Sequence, residues 1–239
     1  LPWPTEDFSV YGEVEVRQIN RVQHHVARVM HRNWASIPHV THHDDADVTV
    51  FEQRRKAWNG THPDKKRTLL PVLVKAAVSA LQCHPQFNSS LSADAATLSL
   101  KKYFNIGIAV DVPNGLLVPV IRDCDKKGIG EISEEIAHIS EKARTKGLSM
   151  AEMSGGCFTL SSLGHIGGTG FTPIINAPEV AILGICRTRG MFVPDAAGLP
   201  VLRQMLPLSL SYDHRVINGA DAARFVRTMA QALETFDFE

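Results

Sequence analysis

Three stretches of the sequence bring together side chains that could take part in catalysis or bind a ligand. In the first, residues 211–219, His214 stands between an acidic and a basic residue, after an apolar strand-like segment and before a helix-like one. Loops at such junctions often hold catalytic groups on a rigid scaffold. His214 is therefore a candidate general acid or base, although a single histidine placed in this way is more often structural.

The second stretch, residues 159–168, is rich in small hydroxyl residues and glycines, Ser161 among them. Glycines allow a backbone to approach a ligand closely, but they also form tight turns, and the turn is the simpler interpretation. Their spacing matches neither the dinucleotide-binding nor the P-loop pattern, so the sequence predicts no nucleotide site of those kinds.

The third stretch, residues 39–47, contains three histidines and three aspartates. Imidazoles and carboxylates could bind a divalent metal. In a strand, however, alternation would place His39, Thr41 and His43 on the face opposite His42. Because the spacing also matches no known metal motif, we predict no metal site.

Hydrophobic periodicity predicts the elements that must position these residues. Helical spacing is found over residues 19–34, 69–84, 129–146 and from 219 onward. Extended segments are predicted over residues 39–44, 46–50, 102–111, 116–121, 157–161, 180–186 and 206–211, with a turn at 113–115. The chain shows no repeat and no internal linker rich in glycine or serine, so we predict one mixed α/β domain.

Composition excludes several classes of protein. Lys plus Arg and Asp plus Glu both number 25 in 239 residues, and no basic stripe interleaves with aromatic residues, which argues against nucleic acid binding. The four cysteines form no Cys-x-x-Cys pair, which argues against a zinc site or disulfide framework and favours a reducing compartment. No apolar run has the roughly 18 residues of a membrane span. We therefore expect a soluble intracellular protein.

Residues 206–225 resemble the C-terminal signature of the 2-oxoacid dehydrogenase acyltransferase family, whose pattern is Asp-His-Arg-x-x-x-Gly. Further segments agree with the family in the same order, and together they extend over nearly the whole chain: residues 37–41, 87–91, 107–111, 115–122, 158–164 and 176–179. On this resemblance, residues 13–239 are expected to be the catalytic domain. Residues 1–12, which begin Leu-Pro-Trp-Pro, are expected to be the end of an interdomain linker.

The resemblance implies a fold like that of chloramphenicol acetyltransferase, a mixed sheet flanked by helices, assembled as a homotrimer. It implies active sites at subunit interfaces, where coenzyme A and a lipoyl arm carried by a separate domain are substrates. No cofactor is bound in the domain, and no residue is assigned to the nucleotide end of coenzyme A.

The same resemblance assigns His214 as general base and Ser161, from a neighbouring subunit, as the donor to the oxyanion. This fits the chemistry, because a thiol with a pKa near 8.5 needs a base at neutral pH and a neutral imidazole suits that task. Asn218 stands where many family members have Asp. Asn at this position resembles the bacterial acetyl members, whereas the succinyl members tend to have Asp, which favours acetyl over succinyl. It could hydrogen-bond near the imidazole, or simply form the turn ahead of Gly219.

The implied function is acetyl transfer in the core of a pyruvate dehydrogenase complex, with the decarboxylase and dihydrolipoamide dehydrogenase as partners. Bacterial cytoplasm is the expected location, with the mitochondrial matrix as the alternative. The functional alternatives are an acyltransferase of another 2-oxoacid or acetoin complex, a free-standing acetyltransferase for a small alcohol or antibiotic, and a non-catalytic scaffold. Family members end in a leucine-rich tail that builds a cubic or dodecahedral shell. Here either Phe236 and Phe238 replace that anchor, or the shell is weakened or absent.

Overall fold

The computed structural model describes residues 3–64, 66–113 and 115–236. In these residues the helices are α1 Arg21–Ser36, α2 Thr49–Thr61, α3 Leu69–Cys83, α4 Ile129–Thr145 and α5 Gly219–Glu234. The strands are β1 His39–Asp47, β2 Ser89–Leu91, β3 Leu98–Leu100, β4 Ile106–Ile108, β5 Val110–Val112, β6 Gly115–Leu117, β7 Val120–Ile121, β8 Phe158–Ser162, β9 Ala181–Ile185, β10 Arg189–Pro194 and β11 Pro200–Asp213.

A seven-stranded mixed sheet lies at the centre, in the order β1-β11-β9-β8-β4-β7, with β10 paired to the first half of β11. The inner strands β4, β8 and β9 run parallel, whereas β11 and β7 are antiparallel to their neighbours. The pairs β2–β3 and β5–β6 form two small separate ladders. The mixed α/β architecture predicted from the sequence is confirmed.

The two faces of the sheet differ in chemistry. Alternate residues of β11, beginning at Leu206 and ending at Tyr212, join the apolar core. The residues between them face the other way, where the Ser209 and Ser211 hydroxyls hydrogen-bond the side chains of His43 and Thr41 at 2.9 and 2.8 Å. We call the face whose residues join the apolar core the helix face, and the face that carries Ser209 and Ser211 the polar face.

Helices α3 and α5 cover the helix face. Phe225 of α5 stacks on Phe87 with ring centroids 4.1 Å apart and also contacts Phe158 of β8 at 5.5 Å. Burying one such ring contributes about 2 to 3 kcal/mol, so these contacts hold α5 against the sheet. The turn between β11 and α5 is thereby anchored at both ends.

The four predicted helices are confirmed as α1, α3, α4 and α5, but the extended segment predicted over residues 46–50 is wrong. There β1 ends at Asp47 and α2 begins at Thr49. The Asp47 carboxylate accepts the backbone N–H of Thr49 at 2.9 Å and thus satisfies a donor of the first turn. The β-branched residues Val48 and Val50 favour a strand only by propensity, which this local bond and the burial of Val48 outweigh.

The long strand predicted over residues 102–111, with one face exposed, is also wrong. Only β4 and β5 form there, and all three residues of β4 are buried. Ile106 and Ile108 join the apolar core, and the side chains of Thr159 and Val118 cover Gly107. Gly107 permits this packing, since a Cβ there would lie 2.7 Å from Thr159 Oγ1. The predicted return strand, residues 116–121, divides in the same way: β6 pairs with β5, and β7 with β4. Asn114 of the predicted turn lies outside the described residues.

The described part of the predicted linker, residues 3–12, is exposed, and its residues 1 and 2 lie outside the described chain. At the other end, Phe236 is half-buried and meets Phe51 edge-on, with centroids 6.1 Å apart. Phe236 thus packs against the core of its own chain. Phe238 lies outside the described residues.

Candidate active site

The turn that carries His214 is tightly held by backbone hydrogen bonds. The amides of Val216 and Ile217 both donate to the Asp213 carbonyl at 3.0 Å, and the His214 amide donates to the Pro38 carbonyl at 3.1 Å. The His214 residue itself is exposed, with its ring 5.8 Å from that of Tyr212. An accessible imidazole on a fixed backbone suits proton transfer to a bound substrate.

The acidic and basic neighbours of His214 bind each other. Asp213, whose side chain is 3% exposed, accepts from Arg215 Nη2 at 2.7 Å and from Nε at 2.9 Å. This hydrogen-bonded carboxylate raises the pKa of Arg215. The ion pair stiffens the turn. Because the Asp213 carboxylate is bound to the Arg215 guanidinium, it does not serve as a carboxylate partner of the imidazole.

Asn218 is the N-cap of α5 and lies four residues after His214. Its backbone is extended, with φ −91° and ψ 157°, and its side chain makes no capping hydrogen bond. Since this conformation is open to any residue, the turn alone does not require asparagine. The exposed amide group is available to a ligand or another chain near the imidazole.

Ser161 lies near the C-terminal end of the inner strand β8 and shares the polar face with Thr159. Its partner in register on β9 is Gly184, over which the Phe171 ring packs so closely that a Cβ there would lie 2.6 Å away. Among the described residues, no side chain or backbone group hydrogen-bonds its hydroxyl. Ser161 is thus half-buried next to the strand position over which the Phe171 ring packs, and its hydroxyl is available as a donor.

Ser161 and His214 are far apart within one chain. Ser161 is level with Gly184 and Gly184 with Ser209, so Ser161 and Ser209 are separated by two strand spacings. His214 follows five residues further along. With about 4.8 Å between strands and 3.3 Å per residue, the backbones lie about 19 Å apart. No acyl carbonyl could contact both side chains of the same chain.

The structure also contains a buried carboxyl group that the sequence analysis did not single out. Glu179 accepts from the Thr159 hydroxyl at 3.0 Å and from the Asn176 amide at 3.4 Å, while its second oxygen is buried without a partner. Burial raises the pKa of Glu179 to about 7. Gly156 allows this placement, because a Cβ there would lie 2.8 Å from the carboxyl. The signal in the sequence was Glu179 itself, the last residue of a family segment.

The histidine-rich stretch is strand β1, and its histidines are arranged for hydrogen bonding. His43 Nδ1 meets the Ser209 hydroxyl at 2.9 Å, and both ring nitrogens of His39 are hydrogen-bonded to backbone groups. Within the described residues, no group of three or more His, Cys, Asp or Glu is placed to hold a metal. In the same part of the chain, no helix has the length and apolar character that crossing a membrane requires.

The family model for the 2-oxoacid dehydrogenase acyltransferase catalytic domain matches residues 11–238. The chain belongs to this family. It is 51% identical over 238 residues to the dihydrolipoyllysine-residue acetyltransferase component of the pyruvate dehydrogenase complex of Cupriavidus necator, covering 99% of this chain and 42% of that protein. The Haemophilus influenzae component is 49% identical over 237 residues, with 98% and 42% covered. The chain thus spans about two fifths of the length of these curated relatives.

Solved structures agree with this family. The crystal structure of a dihydrolipoamide acetyltransferase from Azotobacter vinelandii, solved to study its catalytic mechanism, superposes on this chain with a TM-score of 0.95. The two chains are 48% identical, and the match covers 98% of this chain and 97% of that one. The structure of the cubic core of a pyruvate dehydrogenase complex gives a TM-score of 0.94 at 48% identity, with the same coverage of both chains. A chloramphenicol acetyltransferase gives 0.56 at 14% identity, covering 91% and 100%, a likeness of fold. The fold expected from the resemblance is confirmed.

Proposed function

We propose that this chain is the catalytic domain of the acetyltransferase component of a pyruvate dehydrogenase complex. It would move an acetyl group between a dihydrolipoyl arm and coenzyme A. Relatives about half identical over nearly the whole chain carry that name, which supports the choice of acyl group and complex. The observation that carries the proposal is the exposed imidazole of His214, held on a rigid turn by Pro38 and by the Asp213–Arg215 pair.

His214 acts as the general base in the proposed mechanism. It takes the proton of the coenzyme A thiol, and the resulting thiolate attacks the carbonyl carbon of the acetylated dihydrolipoyl thioester. The Ser161 hydroxyl donates a hydrogen bond to the oxyanion, an interaction worth about 3 kcal/mol in comparable enzymes. Collapse of the intermediate breaks the bond to the lipoyl sulfur, which receives the proton from His214. The reverse reaction uses the same two residues.

The Azotobacter study was directed at a serine, a histidine and an asparagine in the catalytic mechanism of that enzyme. Its histidine and asparagine are four positions apart, as are His214 and Asn218 here. Its serine precedes the histidine by 52 positions, whereas Ser161 precedes His214 by 53 and Ser162 by 52. We assign Ser161 because it lies on the polar face with Thr159, while Ser162 points to the helix face. Asn218 is proposed to orient the imidazole or the substrate.

The separation of about 19 Å between Ser161 and His214 supports a site built from two chains. We infer a homotrimer in which each site takes His214 from one copy and Ser161 from the next. A larger core is also proposed, since a close structural relative is the cubic core of a pyruvate dehydrogenase complex. The lipoyl domain, the decarboxylase and dihydrolipoamide dehydrogenase are the proposed partners, and the bacterial origin of the relatives supports a bacterial cytoplasm.

The test is acetyl transfer from acetyl-CoA to dihydrolipoamide by the purified chain. His214→Ala should lower kcat by at least about a hundredfold, the scale of general-base catalysis, whereas His138→Ala on the exposed surface of α4 should leave it unchanged. Ser161→Ala should cost about a hundredfold, and Ser162→Ala much less. A fully active His214→Ala variant would rule the assignment out. Preferred turnover of succinyl- or isobutyryl-CoA would instead assign the domain to another 2-oxoacid complex.

A further inference from the structure

His39, the first residue of β1, joins two parts of the chain through its ring. Its Nδ1–H donates to the Ile37 carbonyl at 2.8 Å, and its Nε2 accepts the Ile175 amide N–H at 3.0 Å. Trp34 stacks on the ring with centroids 5.4 Å apart. Because Nε2 must be an acceptor, these bonds fix one neutral tautomer, with the proton on Nδ1. No role in the mechanism above uses this arrangement.

Ile175 is tied at both of its backbone groups. Its carbonyl accepts from Asn33 Nδ2 at 2.9 Å, and Asn33 is the one buried residue of α1. Its side chain is fully buried in a small apolar cluster with Ile37 and Ile182. Two side chains from α1 and β1 therefore hold a residue that lies about 140 positions later in the chain.

The segment held in this way forms a wall beside Ser161. Four residues before Ile175, the Phe171 ring packs over Gly184, which is the register partner of Ser161. We therefore expect a shift of Ile175 to displace the Phe171 ring from its place over the register partner of Ser161. On the other side of His39, the Pro38 carbonyl accepts the His214 amide. Adjacent residues thus fix the backbone of the proposed base and the segment beside the proposed oxyanion donor.

We propose that His39 is a positioning residue for acetyl transfer, acting through its bond to the Ile175 amide. The catalytic part of this inference rests on the proposed function, whereas the tether itself does not. The role requires an acceptor at the Nε2 position. Glutamine can place its side-chain oxygen near that position, while the shorter asparagine reaches only the Nδ1 position.

The experiment compares His39→Gln with His39→Asn in the full chain, using His42→Gln, on the opposite face of β1, as the matched control. We expect His39→Asn to lower kcat about tenfold to a hundredfold, because small misplacements of a reacting geometry have effects of that size. His39→Gln and His42→Gln should stay within about fivefold of the parent chain. KM for acetyl-CoA and the thermal unfolding midpoint should change little in His39→Gln.

Hydrogen exchange at the Ile175 amide provides a second readout that is independent of activity. It should be about tenfold faster in His39→Asn and near the parent rate in His39→Gln, as expected for loss of one hydrogen bond. Equal activity of both variants, or equal loss in both, would overturn the positioning role. Unchanged exchange in His39→Asn would overturn the tether. If the parent chain transfers no acetyl group, the proposed function fails, while the exchange rates still decide the tether.

Discussion

Two inactive variants of this chain should restore activity when they assemble together. The register of β8, β9 and β11 separates Ser161 from His214 by two strand spacings and five residues, about 19 Å. A site containing both groups must therefore combine one residue from each of two chains. A mixed trimer of His214→Ala and Ser161→Ala chains contains interfaces at which both residues are intact.

The recovered activity can be calculated from symmetry. Coexpression with two different affinity tags, isolation of the trimer fraction by gel filtration and tandem purification of that fraction would yield trimers that contain both variants. In a closed ring of three head-to-tail interfaces, one interface then pairs an intact His214 with an intact Ser161, whichever variant is present twice. We expect about one third of the kcat of the parent trimer. Each variant alone should remain about a hundredfold below the parent chain.

The control coexpresses two differently tagged chains that both carry His214→Ala, and these trimers should show no recovery of acetyl transfer. Mixed trimers that are no more active than the separate variants would refute the shared site. Sedimentation velocity on the parent chain decides which premise failed. A trimer without recovery would refute the pairing of His214 and Ser161 across chains, whereas a monomer would contradict the assembly itself.

Two further substitutions test the polar face. The pKa of Glu179 is raised from 4.5 to about 7, so its contribution to stability is fully present below pH 4.5 and is lost as the pH rises through 7. Glu179→Gln should remove this decline, so the unfolding free energy of the variant relative to the parent chain should be about 3 kcal/mol more favourable at pH 8 than at pH 4.5. Urea unfolding measured across this pH range checks it, and parallel curves of stability against pH for the two chains would contradict it. Gly184→Ala should displace the Phe171 ring, costing about 1 to 3 kcal/mol of unfolding free energy and lowering kcat. Gly130→Ala, where a Cβ meets nothing within 4 Å, is the matched control, and equal activity of both glycine variants would refute the displacement.

The candidate residues could be predicted because their signals are local. His214 and Asn218 lie in one short turn between a strand and a helix, and both elements have clear periodicity. The helices are predictable for the same reason. For example, α4 ends at Thr145, and Gly147 just beyond it takes the positive φ of 75° that is common where a helix ends. Ser161 was placed in a strand by pattern and assigned its role by resemblance.

The errors arose where tertiary packing decides the structure. The alternation of residues 102–111 suggests an exposed face, but β4 is covered on both faces, so Gly107 is buried as well as Ile106 and Ile108. Val48 and Val50 favour a strand, and the hydrogen bond that the Asp47 carboxylate accepts from the Thr49 amide is not visible in a hydrophobicity pattern, so the sequence does not predict helix α2. Glu179 looks like an ordinary charged residue until its neighbours in space are known.

The polar alternation of β1 illustrates how one pattern can have different causes. The sequence correctly placed His39, Thr41 and His43 on one face, and such a face suggests solvent or a metal. In the structure that face lies beside the buried Ser209 and Ser211 of β11 and the Ile175 backbone, which need hydrogen-bond partners. Unpaired polar groups at such positions cost about 1 to 3 kcal/mol each, so hydroxyl and imidazole side chains are required there. His39 and His43 therefore supply hydrogen-bond partners on the polar face that also carries Ser161.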